Sequence, residues 1–103
     1  MENSFVVVLS PKAKKDLEEI YLYIFQVLKN PKAADNLMEE FQSVFVNLLN
    51  FPFMYQITNN KFTKNQDIRK IVVKNYLVFY RVKGKRIEIM RVLSSLINYQ
   101  NVL

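Results

Sequence analysis

The chain has 103 residues, half of them apolar, with 15 Lys or Arg against 9 Asp or Glu and a formal net charge of +6. That length suits one hydrophobic core, so a single domain spanning 1–103 is expected, and the apolar content excludes a disordered basic tail. Cysteine and histidine are both absent, which excludes disulfide and thiolate chemistry and removes the side chain best suited to proton transfer near neutral pH.

No basic region precedes the short apolar run at the start of the chain, and Pro11 and Lys12 follow it closely, so it does not look like a signal peptide. No stretch approaches the roughly 20 apolar residues that span a bilayer, and a cytoplasmic location is expected. Phe5 to Leu9 has the β-branched character of a strand. It ends at Ser10-Pro11, a cap followed by a residue suited to the first helical turn. Leu17, Ile20, Ile24 and Val27 or Leu28 then recur at helical spacing, which predicts a first helix from Pro11 to about Leu28. Lys12, Lys14 and Lys15 oppose the dipole in its first turn, and Asp16 offsets them only in part.

Asn30-Pro31 repeats the device, and Ala34, Leu37, Met38, Phe41, Val44, Phe45 and Leu48 mark one face of a second helix that stops near Pro52. The short link between the helices predicts an antiparallel hairpin, and the wide apolar stripes predict a sheet beneath it. Phe51 to Gln66 has no clear period and is expected to be irregular. Ile68 to Lys74, Tyr76 to Val82 and Arg86 to Leu93 read as three strands. Lys74-Asn75 and Lys83-Gly84-Lys85 turn them into an antiparallel meander. The fold class is therefore α+β: an N-terminal strand, a two-helix hairpin, then a three-strand meander. The first strand is expected to join the same sheet at its edge or beside a meander strand.

Charge is segregated along this chain. Between Lys61 and Arg91, ten Lys or Arg stand against two acids, a net +8, and the remainder carries −2. A basic face of this kind reads as a docking surface for nucleic acid, an acidic protein segment or an anionic membrane. Candidate binding residues are Lys61, Lys64, Arg69, Lys70 and Arg86. Strand parity puts Arg69 with Ile71 and Val73, and Lys70 on the opposite face. Arg91 falls in phase with Ile87 and Ile89, where a guanidinium needs either an acid from the helices or a ligand. Tyr76, Tyr80 and Tyr21 or Tyr23 read as packing residues with hydroxyls at the surface. If the protein cleaves RNA, the candidates are Lys61, Lys64 or Lys70 on phosphate, Arg81 or Arg91 steadying the transition state, and Tyr99 near the cleft. No carboxylate cluster suits a metal, Gly84 is the sole glycine, and neither a metal nor a cofactor is expected.

The segment from Arg69 to Leu93, RKIVVKNYLVFYRVKGKRIEIMRVL, resembles the C-terminal sheet of the RelE/ParE toxin superfamily, and LSPKAKKDL from Leu9 to Leu17 resembles its strand-to-helix entry. The resemblance implies a bacterial or plasmid-borne type II toxin, of the kind associated with plasmid stabilisation, neutralised by an antitoxin whose C-terminal segment wraps it. Within the superfamily, ribosome-dependent mRNA interferases use basic strand residues with an Arg and a Tyr near the end of the sheet, whereas ParE-like members inhibit DNA gyrase and lack that set. Here Leu77 stands where the interferases commonly have the Arg of a Tyr-Arg pair. Ser94 replaces a common His, and Ile97 stands where an Arg is expected. Lys70 resembles one of their strand lysines, and Tyr99 is only loosely placed.

These departures favour the ParE-like side. The expected function is a toxin that inhibits gyrase. The alternatives are a ribosome-dependent mRNA interferase and a non-toxic basic binding protein of the same fold. In each case an acidic amphipathic partner suits the charge, its helix docking beside the helical hairpin or its strand extending a sheet edge.

Overall fold

Among the described residues, seven elements follow one another: β1 (Val6–Leu9), α1 (Pro11–Leu22), a π-helical segment (Tyr23–Val27), α2 (Pro31–Asn50), β2 (Arg69–Val73), β3 (Tyr76–Lys83) and β4 (Arg86–Ser94). The computed structural model describes residues 4–58 and 67–96. Both predicted caps form. Ser10 Oγ accepts from the Ala13 N–H at 2.9 Å and donates to the Met90 carbonyl at 2.8 Å, so one hydroxyl starts α1 and pins it to β4. Asn30 Oδ1 accepts from the Ala33 N–H at 3.1 Å and starts α2.

The sheet order is β1-β4-β3-β2. The meander is antiparallel, with Lys83 facing Arg86 and Val73 facing Tyr76 across its turns. Gly84 and Lys74 take positive φ at 62° and 51°, the backbone twist that tight hairpin turns require. β1, whose place the sequence left open, lies on the edge parallel to β4, from Val6 opposite Arg86 to Leu9 opposite Ile89.

One sheet face carries Ile71, Val73, Val78, Tyr80, Ile87, Ile89 and Val92 into a cluster with Ala13, Ile24, Ala34, Leu37, Phe41 and Leu48 of the helices. The other face holds a smaller cluster of Ile68, Leu77, Phe79 and Leu93, with Met90 against it. β3 is thus buried on both sides, the reason it is apolar at both parities.

Two local irregularities depart from the expected periods. α1 does not run on to Leu28 as an α-helix. It widens at Tyr23, with the Leu28 N–H donating to the Tyr23 carbonyl five residues back. The extra residue per turn rotates the chain off the apolar stripe. Ile24 stays buried, while Val27 and Leu28 are 63% and 55% exposed. In β4 the register slips at Met90: Ile89 pairs with Tyr80, yet Arg91 pairs with Phe79. This bulge takes Arg91 out of phase with Ile87 and Ile89, and Val92 replaces it on the core face.

Candidate functional site

β1 ends at Leu9 and the chain turns away into α1, so among the described residues no strand flanks β4 on its β1 side beyond Ile89, while β3 continues to pair with it on the other side. Asp16 covers that gap. Its Oδ2 accepts from the Val92 N–H at 2.9 Å and from Arg91 Nε at 2.8 Å, and its Oδ1 accepts from Arg91 Nη2 at 3.0 Å. The carboxylate is buried and held by a two-pronged guanidinium, the strongest form of side-chain ion pair. Asp16 drives the Arg91 guanidinium further above its already high pKa, against the opposing effect of burial. Beside the pair, an open groove of about 570 Å³ is lined in part by Glu19, Tyr23, Tyr76 and Ser94. Burial raises the pKa of Tyr76, and Tyr23 adds to the effect.

On the sheet face away from the helices, Arg81 lies opposite Glu88 and Lys83 opposite Arg86. Arg81 Nε donates to Glu88 Oε1 at 2.7 Å, and Arg86 Nη2 is 3.6 Å from Glu88 Oε2. Glu88 therefore sits between two arginines and aligns them. The hydrogen bond from Arg81 is the main cause that holds the Glu88 carboxyl below its ordinary pKa. Lys70 pairs with Phe79, which puts it on this same face, and Lys83 and Arg86 are exposed. Sequence reasoning missed Glu88. Its position was accessible from the hairpin, because a turn at Gly84-Lys85 fixes residue 81 against 88.

Arg69 shares the face of Ile71 and Val73, as its parity predicted; that face lies toward the helices, and there Arg69 staples the irregular segment. Its Nη1 donates to the Tyr55 carbonyl at 2.6 Å and the Phe53 carbonyl at 3.2 Å, and the guanidinium stands 5.3 Å from the Phe53 ring centre. Tyr80 anchors the same segment by donating to the Pro52 carbonyl at 2.8 Å. Its hydroxyl is buried rather than at the surface, and burial raises its pKa. Tyr21 instead donates to Asp35 at 3.0 Å across the helical hairpin, in an exposed position. Arg69→Ala is expected to lose about 2–3 kcal/mol, since each of its bonds carries a charged donor. Urea unfolding checks this, and an unchanged midpoint would show that the staple carries no stability.

The structure thus sets Lys70, Arg81 and Arg86 on one face, Arg69 on the other, and Arg91 at the edge of α1. Lys61, Lys64 and Tyr99 lie outside the described residues. Among the described residues no group of three His, Cys, Asp or Glu could hold a metal ion, and no helix is long and apolar enough to cross a membrane. Leu77 is 7% exposed and packs with Phe79 and Leu93, so this strand position offers no polar group for chemistry.

A four-strand sheet covered on one face by a helical hairpin is a fold that this chain shares with solved chains of toxin–antitoxin systems. A chain of the chromosomal ParDE toxin–antitoxin system from P. aeruginosa superposes with a TM-score of 0.71 at 21% identity, covering 89% of this chain and 97% of that one. A chain of the E. coli DinJ–YafQ toxin–antitoxin complex superposes with a TM-score of 0.57 at 14% identity, covering 92% and 99%. No curated protein gives a significant sequence match. The family model described as the ParE toxin of the type II toxin–antitoxin system parDE matches residues 7–99, and the chain belongs to that family. It is the toxin of a type II system, and its partner is an antitoxin.

Proposed function

We propose that this toxin acts by binding and inhibiting DNA gyrase rather than by cleaving RNA. The observation that carries the reading is the burial of Leu77 among Ile68, Phe79 and Leu93, at the strand position where the resembled interferases place an arginine. The two nearby arginines are engaged with carboxylates, Arg81 with Glu88 and Arg91 with Asp16. A guanidinium so held serves the fold or a binding surface more readily than a transferring phosphoryl group.

Neutralisation follows from the opposite surface. Tyr23, Phe25, Val27 and Leu28 are exposed on the π-helical turn and just past it, and they suit the apolar side of an acidic amphipathic antitoxin segment. The +6 charge of the toxin supplies the attraction.

The test runs a gyrase supercoiling assay and an in vitro translation assay on one sample of purified toxin. Supercoiling should be lost while ribosome-bound mRNA ends stay unchanged. Codon-phased cleavage of the message with supercoiling intact would overturn the reading in favour of an interferase.

A further inference from the structure

We infer that the sheet face away from the helices binds the phosphate backbone of duplex DNA, so that the toxin engages gyrase together with the DNA that gyrase holds. Three observations carry this. Lys70, Arg81, Lys83 and Arg86 share that face by strand register with Glu88, a net +3 from these five strand residues. Glu88 contacts both Arg81 and Arg86, so the two guanidinium groups are pre-ordered. The formal net charge of +6 on the whole chain adds a long-range attraction toward a polyanion, which the cations of this face meet on contact.

The geometry also suits an extended, regular anion. Arg81 and Lys83 lie two residues apart on one strand, about 6.7 Å, and Arg86 sits across from Lys83 on the next, about 5 Å away. Cations repeating at such spacings neutralise successive phosphates along a backbone, and none of the contacts selects a base. The inferred binding is therefore sequence-independent and strongly salt-dependent. It deepens the gyrase reading by naming the second component of the target, and the two are tested separately.

The experiment measures fluorescence anisotropy of a short labelled duplex titrated with the full chain, at low and moderate salt. With about three phosphates neutralised, affinity should fall about 40-fold between 50 and 200 mM salt. The double variant Lys83→Glu/Arg86→Glu should lose duplex binding. Lys12→Glu/Lys14→Glu makes the same charge change on the exposed start of α1 and should bind as wild type does. Melting temperatures establish that both variants fold, and Lys83→Gln/Arg86→Gln repeats the test without charge reversal.

Three results overturn the inference: no duplex binding by the wild type, equal loss in the α1 variant, or binding of polyglutamate as tight as that of DNA. The last result would assign the face to an acidic protein segment. Supercoiling measured on the same samples tests the gyrase reading by itself. Duplex binding without gyrase inhibition leaves the DNA face standing and removes gyrase, whereas inhibition without duplex binding does the reverse.

Discussion

Asp16→Ala should lower stability by about 3–5 kcal/mol, because the substitution removes one carboxylate and strands two groups that depend on it. The Arg91 guanidinium keeps its charge in a partly buried site, and the Val92 N–H is left at the bare edge of β4. Breaking one partner of a buried pair costs far more than the pair contributes to stability, so single and double variants should diverge. Asp16→Leu/Arg91→Met should recover a large part of the loss, since it removes the unpaired charge and restores apolar volume. Asp16→Asn should fall between, keeping one acceptor for Val92 while surrendering the ion pair. Urea unfolding reads all three variants. A loss below about 1 kcal/mol for Asp16→Ala would mean that water satisfies the edge and that the pair acts as an exposed salt bridge.

That carboxylate also marks the limit of what local patterns convey. The capped starts of both helices, the three meander strands and the basic character of β2 to β4 follow from residues within a few positions of one another, and all were readable. Asp16 looked like a partial correction to three lysines in a helix first turn. Its role depends on Arg91 and Val92, which lie 75 and 76 positions away in sequence. The bulge at Met90 hid it further. Strict alternation placed Arg91 among the core isoleucines, whereas one inserted residue moves it to the edge where α1 leaves the sheet.

The π-helical turn misled for a similar reason. Val27 and Leu28 satisfy the helical period of the stripe on paper, but the period itself changes at Tyr23. The resulting exposed apolar turn is where an antitoxin contact is proposed, so the break in regular structure coincides with a candidate interface. Arg69 is the opposite case. Its parity was read correctly, but a parity argument says only which face a side chain occupies. The carbonyls of Phe53 and Tyr55 that meet it there belong to a segment with no periodic signal.

Phe41→Ala should cost about as much as the loss of Asp16, by a different mechanism. Phe41 is 1% exposed at the centre of α2, with its ring 5.9 Å from Tyr76 edge-on and 6.4 Å from Phe45 in a stacked arrangement. Truncation removes a large ring from the interface between α2 and the sheet, and the cavity it leaves costs about 3–5 kcal/mol. At about 4–8 °C of melting temperature per kcal/mol for a domain of this size, the transition should fall by at least about 12 °C. Phe41→Leu fills more of the space and should cost less, a ranking that separates lost volume from a general disturbance of the helix. An unchanged transition for Phe41→Ala would place α2 loosely on the sheet. Because Tyr76 also lines the groove beside Asp16 and Arg91, that result would remove the support for a rigid wall on that side. Antitoxin binding should raise the melting temperature of Phe41→Ala, with the logarithm of free antitoxin concentration once this exceeds Kd, since a partner that binds only the folded chain stabilises it whatever the origin of the defect. Loss of stability with retained antitoxin binding is therefore the expected pair of results, and it assigns Phe41 to the fold rather than to the interface.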